Sequence, residues 1–421
     1  MGKGIILGID FSLNFTQIAY LDGDGVPQTI TFGDEGHSMI PSVVCYNKDV
    51  KEWYSGEEAI ERGRLAHTVM YKELPNICSK KMNEDKQKVI MSFMKYVLDI
   101  ACASAHATSI RDICISVDDL NPKITENLKM IFEMLGYQPE QVRIISHTES
   151  FVYYILNQNK DIWINKVYFI NFDRYDFSCR KLNVMKGREP FVADVKIEDL
   201  DEIKKKVQAK MPFAPEGMLT NDAAEMLDGE LADYLADQVK RHVVSGIFLS
   251  GQGFKNHEWP KTVEAIAHNR RVFQGDNLIV RGATHAAREF FHIPHLDHYL
   301  ISCKGRTRVK ITMNVKHRER DNTITLSNIG DYWYNARSRA ECIMDEPCVA
   351  DFSIHDIINQ KTQKFQVDLT KFPQRPPKTT RLEVNFRYTK ENEIEIEIKD
   401  LGFGEFFEAT NKKVKKKVTI E

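Results

Sequence analysis

The chain has 421 residues, of which 42% are hydrophobic and 28% are charged. This composition excludes a disordered chain, and the length allows two to three domains that each bury a core. The 58 basic and 60 acidic side chains give a net charge of −2, so no global charge attracts nucleic acid or a membrane surface.

The apolar segments are too short for membrane insertion or export. None reaches the roughly 18 consecutive apolar residues of a spanning helix, and the first apolar run is broken by Gly8 and Asp10. We therefore expect a cytoplasmic protein. The 8 cysteines form no Cys-x-x-Cys pair, which predicts reduced thiols rather than a zinc site or disulfides.

Strand-like and helix-like segments alternate over about the first 290 residues, which predicts an α/β architecture. Ile- and Val-rich segments bounded by turn residues predict strands at 5–9, 17–21, 42–46 and 112–117. Apolar residues at three- and four-residue spacing predict helices at 56–64, 85–104, 122–135 and 147–158.

The outline of the first hairpin returns in the middle of the chain. Residues 4–19 predict a strand, a tight turn and a strand with Asp10 at the turn, and residues 166–185 repeat this outline with Asn171 in that place. Two halves that each open with such a hairpin would direct both turns into a common cleft, where backbone N–H groups could receive phosphates. The alternative is a pair of unrelated hairpins.

After this second hairpin the sequence predicts helices at 221–242, 259–268 and 282–290, strands at 246–249 and 271–273, and a glycine turn at 250–253. From about residue 301, short alternating runs predict a separate antiparallel β domain with strands at 309–315, 323–326, 364–369, 381–388 and 394–399. The basic segment 411–417 predicts an edge strand protected by lysines.

In this order, the segments resemble the 70-kilodalton heat-shock chaperones, in which an actin-like ATPase domain precedes a β-sandwich that binds extended peptides. Residues 8–16 are similar to the first phosphate loop of that family, 143–154 to its connecting strand and helix, 250–253 to its adenosine loop, 281–287 to its final helix and 382–398 to the last hairpin of its sandwich.

The resemblance implies an α/β, actin-like two-lobed fold made of duplicated ribonuclease H-like halves. The first lobe would span 1–165 and the second, shortened one 166–290. A linker would follow at 291–300, and a β-sandwich at 301–421 would lack the family's helical lid.

The departures from the family concern its phosphate loops. The first loop keeps Asp10, but Ser12 and Asn14 stand among the positions of the family's glycine and threonines. The second loop begins at Asn171 and has lost both family carboxylates, and the side chains from Asp173 to Tyr175 would occupy space that phosphates need.

Two further positions bear on catalysis. His147 stands where the family's connecting motif has a glutamate, although Glu149 could substitute for it. Lys72 is a counterpart of the family's catalytic lysine. The remnant catalytic candidates are therefore Asp10, Lys72 and Glu149.

The resemblance also implies which residues would bind a cofactor, namely ATP or ADP with Mg²⁺. The candidate metal ligands are Asp10 and Asp173, and a salt bridge from Arg174 to Asp10 could instead fill the vacated magnesium site. The candidate cofactor-binding residues are Asp10, Ser12, Asn14, Asn171, Gly251, Gly253 and Gly282.

The favoured interpretation is a chaperone-like pseudo-ATPase, a scaffold that binds a protein or an extended peptide through the β domain, for instance at the edge 364–369. One alternative is a nucleotide sensor without turnover. Another is an active ATPase in which Asp10, Asp173 or Asp176, and Glu149 hold the metal while Lys72 contacts the γ-phosphate. Neither nucleic acid nor a membrane is an expected partner.

Overall fold

The computed structural model describes residues 4–32, 36–173, 176–187, 189–208, 220–255, 257–292, 294–318, 320–345 and 348–420. The chain divides into two compact units, Met1–Tyr299 and Leu300–Glu421. The first unit mixes helices and strands and the second is rich in strands. The division falls at the end of the predicted linker.

The first half of the first unit is built around one sheet with the order β3-β2-β1-β8-β9, in which β4 also pairs with β2. A small sheet, β6-β5-β7, accompanies it. The elements are β1 (Gly4–Phe11), β2 (Phe15–Leu21), β3 (Pro27–Thr29), β4 (Ile40–Pro41), β5 (Val44–Asn47), β6 (Glu52–Ser55), α1 (Glu57–Arg62), β7 (Thr68–Tyr71), α2 (Leu74–Cys78), α3 (Glu84–Ser104), β8 (Ser109–Val117), α4 (Pro122–Met134), β9 (Val142–Ser146) and α5 (His147–Leu156).

The second half is built around another sheet, in which the strands follow the order β12-β11-β10-β13-β14. Its elements are β10 (Lys166–Phe172), β11 (Phe177–Met185), β12 (Phe191–Asp199), α6 (Asp201–Gln208), α7 (Asn221–Arg241), β13 (Val244–Ser250), α8 (Pro260–Ala267), β14 (Arg271–Gln274) and α9 (Leu278–Phe291).

The two sheets share one topology. In each, the first three strands pair in antiparallel fashion and the first strand also pairs in parallel with the fourth. Asp10 of β1 lies opposite Gln17 and Ser116, and Asn171 of β10 lies opposite Ser178 and Ser250. Asp10 and Asn171 therefore occupy equivalent positions, and the predicted repeat is confirmed in the strand pairing.

Each half sends its last helix onto the sheet of the other half. In α5, the Phe151 ring stacks on Phe169 of β10 with 5.2 Å between centroids. In α9, Thr284 packs so closely on β1 that a Cβ added at Gly8 would lie 2.2 Å from its hydroxyl oxygen. This exchange buries the apolar faces of α5 and α9 and joins the halves into one unit.

The second unit packs two antiparallel sheets, β17-β16-β19-β20 and β18-β21-β22-β23, around one apolar core. Its strands are β15 (Tyr299–Ser302), which begins at the last residue of the first unit, β16 (Val309–His317), β17 (Arg320–Ser327), β18 (Arg337–Met344), β19 (Val349–Asp356), β20 (Lys361–Asp368), β21 (Thr380–Lys390), β22 (Glu393–Asp400) and β23 (Lys413–Thr419). β23 ends its sheet, which confirms the predicted lysine-rich edge strand.

Two expectations about the whole chain can be compared with the structure. The 8 cysteines all lie within the described ranges, and none of them is joined in a disulfide. Within the described ranges, no helix has both the length and the hydrophobicity needed to cross a membrane.

Candidate functional site

A cleft lies where the two equivalent hairpin turns of the first unit meet, and its cavity volume is about 100 Å³. The first turn contributes Asp10, Ser12 and Asn14, and the second contributes Asn171 and Asp173. Three further aspartates, Asp118, Asp176 and Asp276, also line the cavity. A cleft of this kind needs nearby cations to keep its carboxylates ionised.

The first basic side chain beside these carboxylates is His147, which opens α5 directly after β9. Its Nε2 atom lies 2.9 Å from Oδ1 of Asp10, and its Nδ1 atom lies 3.6 Å from Oδ1 of Asp118. Ser12 donates a hydrogen bond of 2.6 Å to the same oxygen of Asp10. Burial lowers the pKa of His147, but Asp10 and Asp118 outweigh burial, so the pKa is raised above its ordinary value.

The second cation is Arg180 on β11, whose side chain is 4% exposed. It donates to Oδ2 of Asp176 from both terminal nitrogens at 3.1 Å and to Oδ1 of Asp118 at 3.3 Å. Further hydrogen bonds reach the hydroxyls of Ser178 and Thr148. Burial opposes the charges, yet Arg180 lowers the pKa of Asp176, and both aspartates raise the pKa of Arg180.

These contacts form a continuous chain of opposite charges, which we call the ion row: Asp10, His147, Asp118, Arg180 and Asp176. The ion row crosses from the first half to the second, because Arg180 and Asp176 belong to the second hairpin. A buried charge is stable only when it is paired and hydrogen-bonded. In this cleft the protein supplies both basic partners, His147 and Arg180, from its own side chains.

The far wall of the cleft is the glycine turn after β13. The N–H of Gln252 donates to Asp173 at 2.9 Å, and burial raises the pKa of Asp173. Gly251 has a φ of 104°, and a Cβ there would lie 2.4 Å from the carbonyl oxygen of Phe172. Only glycine tolerates both a positive φ and so close a contact with the backbone of Phe172, so Gly251 lets this turn pack directly on the end of β10.

The predicted site residues divide into two groups. Asp10, Ser12, Asn14, Asn171, Asp173 and Gly251 line the cleft, whereas Lys72, Glu149, Gly253 and Gly282 are not among its lining residues. Lys72 is exposed just after β7. The structure thus assembles much of the predicted phosphate-loop region but leaves two of the three catalytic candidates outside it.

Each residue outside the cleft, apart from Lys72, has a clear packing role. Glu149 is fully buried in a capping box at the start of α5, where it accepts the Ser146 N–H at 3.0 Å. A Cβ at Gly253 would lie 2.2 Å from the Phe172 ring. A Cβ at Gly282 would lie 2.0 Å from the carbonyl oxygen of Ser150, so this glycine lets α9 cross α5 closely. These three residues support the cleft without facing it.

The sequence interpretation left Asp118 and Arg180 unassigned, although one signal was present. Asp118 directly follows a predicted strand, as Asp10 stands at the end of one, and such strand ends meet at one edge of a parallel sheet. Arg180 gives no comparable signal, because it looks like an ordinary polar residue of an alternating strand. The hypothesis that Arg174 pairs with Asp10 lies outside the described residues.

The cleft fits a metal-bound nucleotide poorly. Mg²⁺ beside Asp10 would have to displace the His147 ring, which already lies 2.9 Å away. Metal binding at Asp10 and Asp173 stays a prediction. The cavity of about 100 Å³ is also smaller than the roughly 300–1,000 Å³ of typical ligand pockets.

Comparison with protein families agrees with the two-unit division. Residues 26–304 match the C-terminal part of a family of unknown function, DUF5716. The chain belongs to this family. Residues 306–420 match a domain of unknown function, DUF8552. The DUF5716 match includes His147, Asp118 and Arg180 but begins after Asp10. A search of curated proteins gave no match.

Proposed function

We propose that this DUF5716 protein is a non-hydrolysing relative of the 70-kilodalton heat-shock chaperones. Its first unit would be a scaffold with an actin-like fold and a degenerate nucleotide site. Its second unit would be a β-sandwich that binds a protein or an extended peptide. The eight free thiols support a cytoplasmic location for it.

The architecture supports this relationship. The two halves of the first unit share strand order, strand direction and the exchange of their last helices. A unit of two antiparallel sheets follows them. Duplicated halves before a β-sandwich are what the resemblance implies, and the cleft between equivalent hairpin turns is where it expects the phosphates.

The ion row is the main observation that supports a protein without ATP hydrolysis. Phosphoryl transfer needs carboxylates that hold hydrated Mg²⁺ and donors that face the phosphates. In this cleft Asp10 is engaged by His147 and Ser12, and Asp176 by Arg180. Removing one partner from a buried ion pair typically costs about 3–5 kcal/mol, which nucleotide binding would have to offset.

A nucleotide sensor without turnover is the second candidate, favoured by the lining positions of Asp10 and Gly251. The active ATPase is disfavoured because it relies on Glu149 and Lys72. Glu149 caps α5 and Lys72 is not a lining residue. The scaffold and the nucleotide sensor differ only in whether nucleotide binds.

Titration calorimetry with ATP and with ADP, each with and without Mg²⁺, tests the proposal on the full chain, followed by a phosphate-release assay on the same sample. We expect neither binding at millimolar nucleotide nor phosphate release. Binding without release would favour the sensor. The matched variant Asp10→Asn keeps the side-chain shape, so Mg²⁺-dependent turnover that this variant abolishes would refute the proposal.

A further inference from the structure

One side of the second unit is formed by the last strands of its two sheets. Strands β17 and β18 end their respective sheets, and within the described part no further strand pairs with β18 beyond β21. Along β18 the residues alternate between exposed and half-buried, so even its inward face is incompletely covered. The inward residues are Ser338, Ala340, Cys342 and Met344.

At the opposite ends of the two sheets, lysines protect the terminal strands. There β23 has four lysines in seven residues, and Lys416 donates a hydrogen bond of 2.8 Å to the carbonyl oxygen of Gln366 on β20. Lysine-rich edges resist pairing with another strand. The edge at β20, which the sequence suggested for peptide binding, is therefore partly blocked, whereas β18 is a terminal strand that pairs with β21 on one edge.

The outward face of β18 carries an uncompensated positive charge. Arg337 lies directly opposite Arg387, and like charges in that arrangement repel. Arg387 is paired with Glu395, and Arg339 with Glu383, but Arg337 forms no ion pair in the described part of the unit. An exposed arginine beside a paired one favours an incoming carboxylate, which it can bind through two N–H groups.

Space for such a ligand lies beside these arginines. An open depression of about 550 Å³ extends from these arginines across the sheet. Its charged lining residues are Arg337 and Arg339 of β18, Arg387 of β21, Glu395 and Glu397 of β22, and Lys415 of β23.

We propose that β18 accepts an extended acidic segment of a partner protein as an additional strand of its sheet, with carboxylates beside Arg337 and Arg339. Side chains of an added strand alternate between the faces of the sheet. Every second side chain of the added segment would therefore be apolar and would pack beside the inward row that includes Ala340 and Cys342. This inference rests on the proposed binding role of the second unit and specifies the chemistry of its partner.

The test compares two labelled ten-residue peptides by fluorescence anisotropy with the full chain, one alternating Glu and Val and the other alternating Lys and Val. We expect binding of the acidic peptide only, weakened at least tenfold in the double variant Arg337→Glu, Arg339→Glu. The matched control, Lys413→Glu with Lys417→Glu, reverses two charges on the same sheet at the opposite edge and should retain binding within threefold.

Hydrogen exchange provides a readout that does not depend on the variants. Strand addition should slow amide exchange in Arg337–Met344 when the acidic peptide is present, with little change in Lys413–Thr419. Equal binding of both peptides, or protection confined to another strand, would overturn the assignment to β18.

A random peptide array separates this inference from the function on which it depends. Enrichment of alternating acidic and apolar sequences, lost in the double variant, would support the inference. If the chain captures peptides without an acidic preference, and the double variant still captures them, the inference is overturned. The second unit would then still be a peptide-binding unit. Capture of no peptide would overturn both.

Discussion

The two units each bury an arginine against aspartate, and the contrast between these sites separates a structural ion pair from a candidate functional one. In the second unit, Arg375 is 6% exposed and Asp400 is 0% exposed. They form two parallel hydrogen bonds of 2.8 and 3.0 Å. In the first unit, the ion row borders a cavity, and its Asp118 is 43% exposed.

The two sites also differ in how many hydrogen-bond and ion-pair partners each carboxylate has. Asp400 also accepts the N–H groups of Gly402 and Thr410 and the Thr410 hydroxyl, so the pair fastens both ends of the connection between β22 and β23. The ion row has three carboxylates for two cations. A saturated buried pair has no capacity for a ligand, whereas the excess carboxylate of the ion row can respond to protons or cations.

The largest effect is expected in the saturated pair. Asp400→Ala leaves Arg375 buried and unpaired, which should lower the free energy of unfolding by about 3–5 kcal/mol. Urea unfolding, followed by tryptophan fluorescence and circular dichroism, measures this change. The control Glu397→Gln removes the negative charge that pairs with exposed Lys413 and Lys415 and should cost less than about 1 kcal/mol. Equal losses in the two variants would contradict the contrast.

In the ion row, Arg180→Met should cost about 2–3 kcal/mol, a smaller loss because water in the cleft can solvate the freed carboxylates. The second change Asp176→Asn should recover part of this loss, since it removes one of the unpaired charges. A double variant no more stable than Arg180→Met alone would show that Asp176 is not the partner that matters. Urea unfolding of the three variants gives the comparison.

The ion row should also give stability a pH dependence through His147. Because its pKa is raised in the folded protein, its contribution is fully present below the unfolded value of about 6.5 and is lost as pH rises through the folded pKa. The stability difference between wild type and His147→Asn should therefore shrink as the pH increases above 6.5. Thermal unfolding of both proteins at several pH values measures this difference. A difference that does not change with pH would contradict the role of His147 in the ion row.

His285 is a second buried histidine that could obscure this trend. Burial lowers its pKa to about 3, so it destabilises the fold as pH falls below about 6.5. It is present in both proteins, and its effect therefore cancels in the difference between wild type and His147→Asn.

The smallest effect is expected at Lys72, which lies outside both sites. Lys72→Ala should change the free energy of unfolding by less than about 0.5 kcal/mol and leave the calorimetric response to nucleotide unchanged. A loss of nucleotide binding in this variant would restore Lys72 as a catalytic candidate.

The predictability of the fold followed the strength of the hydrophobic pattern. Strand β21 was predicted because large apolar residues alternate strictly with polar ones along it. Strand β18 was missed, since its inward positions are mostly small residues, Ser338, Ala340 and Cys342, which carry little hydrophobic signal. That weak signal and the incomplete cover of β18 have the same cause.

In the cleft, the sequence was informative where a residue's role follows from its place in a hairpin, as for Asp10 and Asn171. It was misleading for Glu149, although the Ser146-x-x-Glu149 spacing is typical of a capping box. The pairing of His147 with Asp10 joins residues 137 positions apart in the sequence, so only the folded structure could reveal it.

The central claim is that the chain's own cations, rather than a metal-bound nucleotide, neutralise the carboxylates of the cleft. An NMR titration of the His147 imidazole, recorded with and without Mg²⁺ and ATP, tests it most directly. The account predicts a pKa above 6.5 that nucleotide leaves unchanged. A His147 pKa that falls when Mg²⁺ and ATP are added would show that the metal takes the place of the imidazolium at Asp10, and would contradict it.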